Sequence, residues 1–201
     1  MKKLIILCFV FIPFLADAQQ PKMHVKLFLG FNGSTLVYRA ENVPSDILGG
    51  IQLGGGFRLK KRELFGEIDF SYLLQAYLYA PREDNELPIE EQIEVLMRSI
   101  EVPMVVGYVP LRTPLFGIYL YGGIANRFSL NGRIIYEDVE YKFKPKELKL
   151  HFYNLGARLG FQVDIAMFNF DFNYTIGVTN SFRDRTRTNS HAFMFNLGFL
   201  F

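Results

Sequence analysis

The chain has no tryptophan and one cysteine, Cys8, and its 22 Lys and Arg are nearly matched by 20 Asp and Glu. Because Cys8 lies inside an N-terminal apolar run, the remainder has no thiol for a disulfide, a cysteine-based metal site or a nucleophile. The even charge leaves no nucleic-acid footprint, and a composition that is 50% hydrophobic excludes disorder. After the N-terminal run, no segment reaches the roughly 20 continuous apolar residues of a membrane helix. If this protein spans a bilayer, it does so with strands.

Lys2 and Lys3 precede the apolar run Leu4 to Leu15, which ends in Ala16-Asp17-Ala18. A basic start, a short apolar stretch and small residues at its end form a signal peptide. The expected organisation is therefore a signal peptide at residues 1–18 and one domain at residues 19–201. A lipoprotein cysteine would follow the apolar region, and Cys8 sits within it.

What the chain does have is alternation, carried by 21 Phe and 11 Tyr. At its C-terminus, Phe193, Phe195, Leu197, Phe199 and Phe201 fall on one side of a strand, while Ala192, Met194, Asn196, Gly198 and Leu200 fall on the other. The same period of two recurs at residues 25–31, 51–59, 64–75, 99–108, 118–127, 154–163 and 168–179, which makes eight runs. Short connections at residues 60–63, 109–114 and 164–167 alternate with long polar ones at residues 36–46, 77–94, 129–149 and 180–190. An even strand number with tight turns at one end and long loops at the other predicts an eight-stranded antiparallel transmembrane up-and-down β-barrel. Asn131-Gly132 and the alternation around Tyr141 add a hairpin signal within residues 129–149. Strands continuing beyond the membrane, or a small hairpin above it, account for that signal; ten strands are the alternative. Residues 92–97 suggest a helical turn.

An exported soluble barrel would also alternate, so the second face decides. On a soluble exterior it would be rich in large charged residues. Here it is mainly Gly, Asn, Ser, Thr and Gln, with charges of both signs: Lys26, Arg58, Arg127 and Arg158 against Glu67, Asp69, Glu101 and Asp171. Small side chains suit the interior of an eight-stranded barrel, and paired charges would neutralise one another there. These eight residues are the expected lumenal charge network, and the lumen is expected to be plugged. Tyr72, Tyr108, Tyr153 and Tyr174 are candidates for an interfacial aromatic girdle.

The chain resembles the PorT-like outer-membrane β-barrel family of Bacteroidetes in four features: Gln19 next after the cut, the Gly-rich stretch Gly49-Gly50-Ile51-Gln52-Leu53-Gly54-Gly55-Gly56, Ile100-Glu101-Val102-Pro103 closed by Tyr108, and the terminal Phe201. Gly107 stands where similar members often carry a basic residue, so no basic site transfers. The resemblance implies an eight-stranded barrel in the outer membrane. It also implies recognition of the C-terminal strand, through Phe193, Phe195, Phe199 and Phe201, by the barrel assembly machinery. A few members are linked to secretion or gliding machinery.

No cofactor or metal is implied, and no enzyme is expected. His151 and His191 lie at the loop end, where Ser190 with Glu147 or Asp184 would be needed for a lipid-modifying hydrolase. Ser190 and His191 are adjacent on a strand and point to opposite faces. His24 is at the other end. Among the loops, Glu83, Asp84, Glu86, Glu90 and Glu91 face a basic set, Arg183, Arg185 and Arg187, which is the candidate surface for a protein, a glycan or lipopolysaccharide phosphate. The expected role is structural or interactive through extracellular loops, in contact with outer-membrane lipid and lipopolysaccharide. A narrow pore or secretion-apparatus component, the hydrolase, and a soluble periplasmic ligand-binding barrel are the alternatives.

Overall fold

A computed structural model describes residues 22–38, 46–79, 93–136, 139–143, 150–181 and 188–201. The signal segment, the acidic residues 83–91, Glu147 and the loop arginines Arg183, Arg185 and Arg187 lie outside the described residues. The strands are β1 (Lys22–Tyr38), β2 (Leu48–Lys61), β3 (Leu64–Tyr79), β4 (Ile93–Arg112), β5 (Phe116–Tyr136), β6 (Val139–Phe143), β7 (Tyr153–Ile165), β8 (Phe168–Gly177) and β9 (Thr188–Leu200). Every pairing is antiparallel. β1 joins β2 on one side and β9 on the other, and β4 joins β5, so eight strands close on themselves. The seam between β1 and β9 runs from Lys26 opposite Leu200 to Tyr38 opposite Thr188. It extends through Phe201, whose backbone exchanges two hydrogen bonds with Val25 at 2.9 and 3.1 Å.

The ninth strand, β6, stands outside this ring. Among the described residues it pairs only with β5, from Gly132 to Tyr136, whereas β7 pairs with β5 from Phe116 to Phe128. β5 thus changes partner above Phe128, and the hairpin signal at Asn131-Gly132 becomes a continuation of the wall. The ten-stranded alternative is overturned by the β4–β5 and β1–β9 closures. Of residues 92–97, expected to form a helical turn, residues 93–97 are strand, because pairing with β3 and β5 on either side outweighs local preference, and Gln92 lies outside the described residues. β4 also continues to Arg112 through a register shift beyond Tyr108, so residues 109–112, expected in a turn, belong to the wall.

At the tight end, two-residue turns link β2 to β3 at Arg62-Glu63 and β7 to β8 at Ala166-Met167. Arg62 and Ala166 take φ of 53° and 52°, a left-handed conformation that favours glycine. Thr113 closes the third turn: its Oγ1 accepts from the Phe116 amide at 3.0 Å. Strands of about 9 to 11 residues suffice to cross a bilayer. β4 and β5, at 20 and 21 residues, rise beyond it at the loop end.

Side-chain alternation sorts the barrel into two surfaces. Leu27, Leu29, Phe31, Leu53, Phe57, Phe70, Leu120, Leu159 and Phe193 are exposed on the outside. Lys26, Gln52, Arg58, Glu67, Gln75, Glu101, Gln162, Asn169 and Asn196 are buried inside. This inverts a soluble protein, and such a surface is stable only against lipid. No helix among the described residues is long and apolar enough to cross a membrane.

Candidate functional site

The lumen is the site, because it gathers the polar chemistry that the exterior lacks. Near the tight end, Lys26 on β1 donates to Glu67 and, at 2.8 Å, to Asp69, both on β3. Arg58 on β2 lies directly opposite Glu67 in the β2–β3 register. It donates from Nε to Glu67 at 2.7 Å, from Nη1 to Asp164 at 2.7 Å, and from Nη2 to Gln162. Gln162 donates in turn to Glu67 at 3.0 Å. The arginine therefore bridges β2, β3 and β7 across the bore, although only 1% of its surface is exposed.

Halfway up, Asp171 forms no ion pair among the described residues and feels Lys26 only through space. It accepts from the Tyr121 hydroxyl at 2.5 Å and from the amides of Asn196 and Asn173 at 3.1 and 3.3 Å. Higher still, Glu101, with no exposed surface, is held by two arginines. Arg127 donates to it from Nη2 at 2.8 Å and from Nε at 3.0 Å, and Arg158 donates to its other oxygen. Arg158 is steadied by Thr175 at 2.9 Å. Arg127 continues the chain to the Tyr77 hydroxyl at 3.0 Å, and thence it passes to Gln75 and Ser34.

All eight charged residues predicted from alternation are thus inside. The structure brings Lys26, Arg58, Glu67 and Asp69 into one cluster and Glu101, Arg127 and Arg158 into another, with Asp171 between them. Sequence reasoning missed Asp164, which it placed in a turn, and Lys60, which it counted in the same way. The period of two continues through both residues and would have found them. It also left Phe65 and Leu73 unassigned; both face inward and are fully buried. Phe65 meets Tyr119 and Tyr121 edge-on, with ring centroids 5.3 and 6.4 Å apart. Gly56 is required where it stands, since a Cβ would collide with the Asp69 carboxylate.

Above the ionic clusters, Leu36, Tyr77, Val95, Met97, Ile134 and Phe143 form an apolar cap with Leu150. It adjoins a small pocket of about 40 Å³ lined by Ser99, Arg127 and Ser129. The histidines do not converge with Ser190. His191 points outward and meets the Tyr174 hydroxyl through Nδ1 at 2.7 Å, whereas Ser190 borders the inner pocket. The His151 amide donates to the Ser181 carbonyl at 2.9 Å. Asp184 lies outside the described residues. Among the described residues, no group of His, Cys, Asp and Glu is placed to hold a metal ion.

The four girdle candidates all face outward. Tyr108 sits by the β2–β3 turn, bonded to Glu63, and Tyr153, towards the loops, donates to Asn126 at 2.9 Å. Phe193, Phe199 and Phe201 are exposed and Phe195 is half-buried, all on the apolar face of β9.

No protein-family model matches the chain, and no curated protein is significantly similar to it. Solved structures do resemble it. The attachment invasion locus protein of Yersinia pestis is 13% identical, covering 91% of this chain and 100% of that one at a TM-score of 0.52. Neisserial surface protein A is 10% identical, with the same coverage and a TM-score of 0.51. At such identity the likeness is one of fold. Together with the apolar exterior and charged interior, that fold defines a small outer-membrane β-barrel.

Proposed function

We propose that this protein is a closed outer-membrane barrel of the PorT-like kind, acting as a structural or interaction protein through its extracellular loops. The observation that carries the reading is the column of bonded side chains from Arg58 to Tyr77, which occupies the bore where a solute would pass. An interior of eight strands is just wide enough to be filled by side chains, and these are tied to both sides of it. With the bore occupied, function falls to the two ends and the lipid face. On this reading Arg183, Arg185 and Arg187 present a basic surface to a protein, a glycan or lipopolysaccharide phosphate, and the aromatic face of β9 is read by the barrel assembly machinery. The PorT-like part of this reading rests on the sequence resemblance, whose Ile100-Glu101-Val102-Pro103 stretch contains the Glu101 held by Arg127 and Arg158.

Planar-bilayer recording tests the closed bore. The purified barrel is expected to give no stable unitary conductance, and reproducible channel steps would overturn the reading in favour of transport. Binding of cells to immobilised anionic glycan tests the loops: replacing Arg183, Arg185 and Arg187 together by Ser should reduce it. Binding unchanged by that triple replacement would remove the basic loop from the proposal.

A further inference from the structure

Among the described residues, the five cations and five carboxylates of the bore, with Lys60 and Asp164 included, balance in number but not in position. Glu67, Asp69 and Asp171 lie deep, whereas positive charge collects at the mouth bounded by the tight turns. There a vestibule of about 830 Å³, open to solvent, is lined by His24, Lys60, Arg112, Tyr119 and Asp164, with Phe201 at its rim. Lys60 is 4% exposed, and its hydrogen-bond partner is a neutral phenol, the Tyr119 hydroxyl at 2.6 Å, with the ammonium 4.4 Å from the ring centroid.

Among the described residues, the one side-chain carboxylate in the lining is already engaged. Asp164 accepts from Arg58 and Asn169, each at 2.7 Å, and also from Tyr119. It attracts Lys60 only through space, while Arg112, Arg58 and Lys22 repel it. Neither Arg112 nor Lys22 has an ion pair among the described residues. Glu63, the other acid nearby, is turned outward to Tyr108. A buried ammonium without a bonded counter-charge is costly, and a concave site lined by one sign of charge draws in the opposite ion.

We propose that this vestibule binds a phosphate-type oxyanion, held by Lys60 from within and Arg112 from the rim. Lys60 supplies a compact ammonium and Arg112 a planar fork, the two donors suited to phosphate oxygens. Either a soluble phosphate compound or a phospholipid headgroup of the adjoining leaflet offers this chemistry.

Two preparations of the full barrel separate these sources. In lipid-free non-ionic detergent, titration with inorganic pyrophosphate followed by calorimetry should give saturable binding. Lys60→Gln and Arg112→Gln should each weaken it about tenfold or more, as loss of a charge-assisted bond does. Lys142→Gln, which removes the same charge from the exposed opposite end, should leave it unchanged. Folding of each variant is checked by heat-modifiable gel migration. In phosphatidylglycerol nanodiscs, retained pyrophosphate binding points to a soluble ligand. Its loss, together with a Lys60-dependent change in the lipid phosphorus resonance, points to the headgroup. As a second readout, pyrophosphate should raise the urea midpoint of the wild type but not of Lys60→Gln. No saturable binding in detergent, or equal binding by all three variants, overturns the proposal.

Discussion

Glu101 anchors two buried arginines, so its charge matters more than its volume. Glu101→Gln keeps the shape but leaves Arg127 and Arg158 in the bore without their shared counter-charge. Breaking a buried ion pair from one side costs about 3–5 kcal/mol. The variant is expected to unfold from lipid vesicles at clearly lower urea than the wild type, followed by intrinsic tyrosine fluorescence. An unchanged midpoint would mean that the arginines find other partners. Ala166 argues in the opposite direction. It holds a left-handed φ of 52° in a two-residue turn, and Ala166→Gly should relieve up to about 1 kcal/mol of that strain. The same measurement reads the gain.

Among the elements, β9 is where sequence and structure meet most directly. Its aromatic side faces outward and its backbone closes the ring against β1. Deleting Phe201 removes both seam bonds to Val25, whereas Phe201→Asp keeps them and places a charge on the apolar face. If the side chain is the assembly mark, both variants should lose heat-modifiable migration in the outer-membrane fraction; normal insertion of Phe201→Asp would sink that role. The crossing strands were legible because one face of each meets lipid and the other a crowded bore, which imposes a strict period of two. Beyond the lipid that constraint lapses. The upper parts of β4 and β5 and the short β6 therefore carry mixed faces, and residues 92–97 read locally as a helical turn. The charge network was legible as composition: charges of both signs on the small-residue face imply pairing. Which partners pair was not, because Arg58 reaches Asp164 and Gln162 across the bore, and that geometry depends on closure. Asp164 was missed for a simpler reason, a turn boundary drawn two residues too early.

For the whole molecule, the two ends differ in height and charge, which fixes a testable orientation. The wall of β4 and β5 stands above the lipid on the loop side, with Asn131 and Lys142 exposed there. Arg112 marks the opposite mouth. Because Cys8 is the only cysteine and lies in the segment read as a signal peptide, single cysteines report position cleanly. Asn131→Cys should react with a membrane-impermeant maleimide on intact cells, and Arg112→Cys only after the outer membrane is permeabilised. The reverse pattern would invert the barrel. The seam carries a consequence for manufacture. β1 enters the export route first and β9 last, yet each supplies the other's missing edge, so the ring cannot shut on a partial chain. A copy stopped before β9 would retain two long unpaired edges, at β1 and β8, which are templates for aggregation. β9 thus acts as a delivery check: only a polypeptide delivered through β9 can close the ring and hide the backbone of its wall from lipid.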